Sequence, residues 1–583
     1  MRVKLVFLCV MLIAAFSVNV QAAVNNWAPS DNDMGADYNW GVGTFPVAAD
    51  TAVVNLTEAR LWTMDPSVGS ADTAPPNAIG TLWVGSNGQT GTINQQTYTL
   101  EAQNDVVIGQ GAAGGVAGGT GNLILSGNAI FKHTTTGDLA VGRPSGVATD
   151  PVTTGSIVMS GNAELDNNAG ILYVGGGTGG SWLNPNGVGG VGSITMSGSS
   201  VLNQTNGSDT RIGQNGGVGT LTLNGNATAN FTGWVCVGYG SDQSTNAAGV
   251  SSGTLTINGG TFTKLGDGDL ISGGQASNGV VNQNGGIVNL EWCLKVGEWG
   301  NSPAYVTGGA AKPAEVLSHG EYHLNGGVLK VTMIGSNWWG KGDFYFNGGT
   351  LTPGIHEAEN DGWRAPGQFM WNNASGDNTI LNFWVQHGGA IIDTAGVDTF
   401  SNCGLLDGGG NGGLTKLGAG AFKMNAVCTY TGPTEVVAGT LGGSGSFASS
   451  SLITVDSGAG IAPGDPATLT VGDITFNNGS HLDIAFAGAL HDMLVSTGTL
   501  TLGNSVTLNV TLTGTPVPGD YDVLDWVTKV GNFTTVNLPD VSSYGWTDSY
   551  DAATGIVSIV PEPSTIVLLV MGALMLLYRR VKR

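Results

Sequence analysis

Charge is scarce in this sequence. Asp, Glu, Lys and Arg make up 10% of 583 residues, and 19 basic residues face 42 acidic ones, a formal net charge of −23. Nothing here neutralises a phosphate backbone, so a nucleic-acid partner is excluded, and adsorption to anionic lipid or acidic polysaccharide would need bridging cations. Cysteine is also sparse, with five residues and no CxxC pair; HExxH is missing too, which removes the common zinc motifs. The calcium-binding nonapeptide GGxGxDxUx is absent as well. Helical periodicity is lacking throughout the interior of the chain, which leaves an all-β class. Gly109 to Gly114 fits GxGxxG, but Gly115, Gly118, Gly119 and Gly121 deny it the helix that would hold a pyrophosphate. Gly249 to Gly253 fits GxSxG yet runs into a strand pattern, where a nucleophile elbow needs a helix.

What is abundant is glycine, 98 residues, set among 41% apolar residues. The apolar residues are in register, so the glycines read as turns and not as disorder. A phrase recurs eight times, Gly192-Ser-Ile-Thr-Met-Ser-Gly198 being one copy, with starts at Gly121, Gly155, Gly192, Gly219, Gly253, Gly279, Gly320 and Gly342. Successive starts lie 22 to 41 residues apart, the period of a solenoid coil. Its period-2 alternation sends Leu, Ile and Met to one face and Ser, Thr and Asn to the other, as in a strand with one buried side. The closing Ser-Gly or Asn-Gly step suits a turn, because Gly and Asn tolerate positive φ. A second phrase, a short apolar run ending in glycine, falls between copies: Val141-Gly142, Val174-Gly175, Ile212-Gly213 and Val237-Gly238. Each unit thus reads as strand, turn, strand, loop. One unit cannot bury its own apolar face; stacked units can, which predicts an elongated parallel β-helix or β-solenoid.

The boundaries follow from composition. Residues 1–22 read as a signal peptide: Arg2 and Lys4, an apolar core from Leu5 to Phe16, and a small-residue cleavage site ending at Ala22. Residues 23–80 are irregular and read as an N-terminal cap, 81–450 as the repeats, and 451–559 as a β-rich C-terminal cap. At the far end Pro561-Glu562-Pro563 precedes an apolar run, Ile566 to Tyr578, and a basic cluster containing Arg579 and Arg580. Thirteen apolar residues fall short of the roughly 20 that span a bilayer untilted, so the run reads as a short hydrophobic helix giving transient membrane anchoring, with the basic end cytoplasmic. Removal of both ends takes away six basic residues and at most Glu562, leaving a body near −28. Cys236, Cys293, Cys403 and Cys428 then remain. Cys236 and Cys293 are separated by an intervening strand, about 9.6 Å of stacking, too far for a disulfide. Cys403 and Cys428, about one coil apart, are the one pair placed for a bridge.

Residues 560–583, with tripeptide, apolar run and arginines in order, resemble the PEP-CTERM sorting signal of Gram-negative bacteria that make extracellular polysaccharide. The resemblance implies an exosortase-type processing enzyme as partner, cleavage near the tripeptide, and delivery to the cell surface or extracellular matrix. Residues 412–441, through Leu414-Thr-Lys-Leu-Gly-Ala-Gly420, Thr429-Tyr-Thr-Gly432 and Val437-Ala-Gly-Thr-Leu441, resemble the autotransporter-associated β-strand repeat. That family implies a solenoid coil without catalytic residues.

Seven of fifteen tryptophans lie between Glu291 and His387, together with His319, His323, His356 and His387. Trp338, Trp339, Trp363 and Trp371 with Asp361 form the candidate glycan-binding set, since indole faces stack on sugar rings and carboxylates accept their hydroxyls. The same tryptophans also suit the interior of wider coils, with the acidic run as a solvated loop. Leu265-Gly-Asp-Gly-Asp269 reads as a turn, or as a weak Ca²⁺ site. The expected function is a secreted structural or adhesive protein with no cofactor and no resident metal, whose partners are extracellular polysaccharide or envelope components. Two alternatives stand beside it: a polysaccharide lyase or hydrolase on a β-helix, and a carbohydrate-binding surface module. Of the four arginines left in the body, only Arg364 lies among carboxylates and tryptophans.

Overall fold

The computed structural model describes residues 79–582 apart from 111–118, 145–151, 177–188, 241–250, 299–317, 338–339, 355–366, 373–378 and positions 87, 97–98, 267, 276, 465 and 516. It also gives three short strands before residue 79: Val24–Asn26, Thr51–Val54 and Ala59–Leu61. The expected signal peptide lies outside the described residues. The chain is a parallel β-solenoid, and its coils fall into two compact units. One runs through the coils to Tyr345, the other from Asn382 onward, with short stretches of 346–381 divided between them.

In the first unit each coil has three strands, one more than the repeat pattern suggests. The glycine phrase forms the first side, as in Thr154–Met159, Val191–Met196 and Val218–Leu223. A four-residue strand forms a short second side, as in Glu164–Asn167, Val201–Gln204 and Thr228–Phe231. The apolar run forms the third, as in Leu172–Val174, Thr210–Gln214 and Val235–Tyr239. Copies stack in register, so Gly155, Gly192, Gly219, Gly253, Gly279 and Gly320 lie in one column. Inward residues of the phrase strands, Ile157, Ile194, Leu221 and Leu255 among them, are fully buried, each worth about 1.5 to 3 kcal/mol against exposure.

The two recurrent glycines meet at the corner between the apolar side and the phrase side. A Cβ on Gly213, at φ +71°, would overlap the Ser252 carbonyl at the start of the phrase strand Ser252–Ile257. A Cβ on Gly219 would overlap the Val174 carbonyl at the end of Leu172–Val174 and the Gly213 nitrogen. The corner is closed backbone against backbone, which is why both phrases need glycine there.

At the opposite end of the phrase strand the turn asparagines do not use their tolerance of positive φ. Gly225, Gly260 and Gly286 carry it instead. The asparagines form a ladder: Asn258 Nδ2 donates to Asn224 Oδ1 at 2.8 Å, Asn284 to Asn258 at 2.8 Å, and Asn325 to Asn284 at 2.9 Å.

On the short side the last inward position holds His133, Asn167, Gln204, Phe231 and Lys264 in successive coils. The polar members hydrogen-bond to carbonyl oxygens of the turn that follows: His133 Nε2 lies 3.2 Å from Thr136 O, and Lys264 Nζ donates to Leu265 O and Gly266 O at 2.8 Å each. The turns themselves are exposed, but each buried polar side chain finds its partner in the turn carbonyls, so neither group is left unpaired inside the coil.

In the second unit the coils shorten. Short-side strands Leu414–Leu417, Thr434–Val436, Ile453–Val455 and Ile474–Phe476 stack in parallel, as do Ala421–Met424, Thr440–Gly443 and Gly460–Pro463. The phrase-side sheet ends at Leu405–Asp407. Residues 412–441 therefore wind a coil of two strands to the turn. Parallel pairing continues to Thr535–Asn537, beside which an antiparallel sheet of Gly519–Asp522, Trp546–Asp551 and Ile556–Pro561 leads into the helix Pro563–Val581. The expected Cys403–Cys428 bridge is not formed, and all four described cysteines are free thiols. Cys428 Sγ instead accepts the Leu405 N–H at 3.4 Å.

Candidate functional site

Of the tryptophan set, Trp338, Trp339 and Trp363, together with Asp361, lie outside the described residues. Trp371 follows the strand Gln368–Met370 in the second unit and is half-buried. The described residues therefore bring no two of these side chains together. His387 is exposed, its Nδ1 2.9 Å from Gly410 O.

What the same stretch does assemble is a cluster on the outer face of two phrase strands of the first unit, His319–Leu324 and Lys341–Phe346. At outward positions, where earlier coils carry Ser, Thr, Asn, Val or Ile, these strands present His319, Glu321 and His323, then Lys341, Asp343 and Tyr345. His319 Nε2 donates to Asp343 Oδ2 at 3.0 Å, and its Nδ1 lies 3.6 Å from Glu321 Oε1. His323 Nε2 reaches Glu321 Oε2 at 2.9 Å, and the His323 and Tyr345 rings stack at 4.5 Å and 7°. The Asp343 carboxylate holds the His319 pKa above its ordinary value, with burial opposing and Glu321 assisting. Burial, aided by Asp343 and Glu321, raises Tyr345.

A raised imidazole pKa stabilises the fold below the unfolded value of about 6.5, and that contribution is lost as pH rises through the folded value. With 39% of the His319 side chain exposed, the gain is at most a few tenths of a kcal/mol. The clean measurement is an NMR titration. His319 should titrate above the ordinary imidazole value of about 6.5 and fall back towards it in Asp343→Asn; an unchanged value in that variant would reject the pairing.

Among the described residues no group of three His, Cys, Asp or Glu side chains is placed to hold a metal. In the Leu265–Asp269 turn, Asp269 Oδ1 accepts the Cys293 N–H at 3.3 Å. This is a coil-to-coil tie.

At the C-terminus Pro561 closes its antiparallel strand opposite Trp546, and Glu562 is the N-cap residue, its N–H donating to Gly545 O at 3.0 Å. Pro563 opens the helix, where a missing N–H costs nothing. Arg579 and Arg580 occupy the last turn, favourable for the helix dipole. Leu568, Leu569, Leu576 and Leu577 are 59–72% exposed, and apolar side chains are bare from Val567 through Tyr578. Among the described residues no helix is long and apolar enough to cross a membrane.

No protein-family model matches the chain, and no curated protein does either.

Two structural residues are not singled out by the glycine phrases, although the sequence does carry a signal for them. Thr-Lys-Leu-Gly occurs at 263–266 and again at 415–418, and both lysines are buried with their ammonium groups on turn carbonyls.

Proposed function

We propose that this protein is a structural or adhesive β-solenoid carried across the inner membrane to the cell surface or extracellular matrix, its C-terminal tail serving as a sorting signal and not as a permanent anchor. The parallel solenoid is compatible with such a role: stacked coils make a stable scaffold that presents broad faces. The observation that carries the reading is the terminal helix. A helix apolar on every side is at home in hydrocarbon or a protein groove, not in water. It follows directly on Pro561-Glu562-Pro563, at the junction where a folded sheet ends, and finishes in arginines that favour the cytoplasmic side. An exosortase-type enzyme acting at that junction would release the folded sheet without cutting into it.

The test is the mass of the protein recovered from the surface or medium of its native cell. The expected product lacks the residues beyond the tripeptide. Glu562→Ala, or Arg579→Gln, Arg580→Gln, Lys582→Gln and Arg583→Gln together, should leave the tail uncut and reduce the released fraction by about tenfold or more, because the second change removes the topological signal. Released protein with an intact C-terminus would reject the reading.

A further inference from the structure

In an acidic molecule, one broad face carries no charge. From Thr90–Gln95 to Asn278–Gln283, seven phrase strands stack in register, and none of their outward positions is Asp, Glu, Lys, Arg or His. The rungs span about 29 Å along the stack. At the centre, Ser193, Thr220 and Thr254 form one row and Thr195, Thr222 and Thr256 the next, all half-buried or exposed.

The other two sides of the same coils differ. The short side presents Glu101, Lys132, Glu164 and Asp166 in three successive coils and is uncharged only from Val201 to Asn289, two outward residues per coil. On the apolar side the outward residues Val107, Ala140 and Tyr173 are themselves buried. Among the described strands the phrase side is therefore the wider surface, three outward residues per coil, that stays uncharged over all seven coils and can approach a partner without desolvating an ion.

We propose that this face docks an extended, uncharged polysaccharide, an inference that rests on the surface location proposed above and names the polymer class. Hydroxyls and amides spaced by the rung repeat offer donors and acceptors to sugar hydroxyls, and the Thr and Val methyls between them meet the apolar faces of the rings. Each contact is weak, and affinity comes from many rungs engaging one chain. Acidic polymers are disfavoured by the net charge of −23. The face stops where His319, Glu321 and Asp343 introduce charge.

The experiment is co-sedimentation of the full chain without its signal and tail segments, using microcrystalline cellulose and a soluble neutral β-glucan, with alginate as the acidic comparison. Binding should favour the neutral polymers and change little with salt. Thr220→Lys with Thr254→Lys places two ammonium groups in the middle of the face and should weaken binding about tenfold or more, while Thr261→Lys on the short side should change it less than about twofold. Circular dichroism checks that each variant folds, and Thr220→Ala with Thr254→Ala, which adds no charge, should give an intermediate loss.

No binding to either neutral glycan, or binding that Thr220→Lys with Thr254→Lys leaves intact, overturns the proposal. A parent dimer that dissociates in the lysine variant also overturns it, by assigning the face to a second copy. Protease accessibility on native cells reports the surface location separately, so a surface-exposed protein that binds no glycan would sink this inference alone.

Discussion

Alanine at Gly219 is expected to cost at least about 4 kcal/mol, although its backbone lies outside the left-handed region, because the added methyl has nowhere to go. The atoms in its way are the Val174 carbonyl oxygen and the Gly213 nitrogen, both backbone and both held by parallel pairing. Alanine at Gly213 meets the same kind of obstacle, the Ser252 carbonyl, and adds the left-handed penalty of about 1–2 kcal/mol at φ +71°. Gly207 separates the two terms. It has φ +80° with nothing within 4 Å of an added Cβ, so Gly207→Ala should lose only the conformational part, about 1 kcal/mol. Denaturant titration of the three variants checks the order. Because each coil leans only on its neighbours, hydrogen exchange should show the damage centred on the coils around the substitution. A loss below about 1 kcal/mol at Gly219 would mean that the corner can open, and the steric account of the repeat would fail.

That corner explains why the solenoid is legible in the amino-acid sequence. Alternation in the phrase strands is enforced by a buried inward row, and the glycines by backbone contact, so both survive in every copy. The short side leaves no common letter. Its four-residue strands bury only two inward side chains per coil, and the final one changes from His133 to Asn167, Gln204, Phe231 and Lys264. What is constant there is a task, satisfying the turn carbonyls, which several side chains can perform. The apolar side reads as a continuous run for another reason: Val107, Ala140 and Tyr173 point outward yet are buried, so neither face is marked by polarity. The turn asparagines stand where the pattern puts them but for a different cause, since their contribution is a side-chain ladder and the adjacent glycines take the positive φ. The outer cluster of His319, Glu321, Asp343 and Tyr345 is half legible. Both histidines stand out by rarity, but their partners emerge only when the phrase register puts the strands side by side.

Lys416 should make a large pH-dependent contribution to stability. It is fully buried, and its ammonium group donates to Leu417 O and Gly418 O at 2.8 Å, Ala438 O at 2.9 Å and Thr394 Oγ1 at 3.2 Å. Burial pushes its pKa down to about 8, against the pull of Asp393 and Asp398. Between that value and the unfolded value of about 10.4 the unfolded chain binds more protons, so stability rises with pH across this window, by about 3 kcal/mol in total. Below it the full cost of holding a charge inside the coil is present. Lys416→Met removes that cost and also the donor. Leu417 O keeps its bond from the Thr394 N–H, but Gly418 O and Ala438 O lose the lysine, at about 1–3 kcal/mol each. Near pH 7 the two effects largely offset. At a pH of about 10.5 the amine of the parent is neutral and only the loss remains, so the variant should be less stable than the parent by about 3 kcal/mol more than at pH 7. Comparing parent and variant at each pH cancels the titration of every other group. Equal differences at both pH values would mean that the carbonyl cage repays the burial in full and that Lys416 stays charged, as the ammonium hub that ties its own coil to the Ala438 turn of the next.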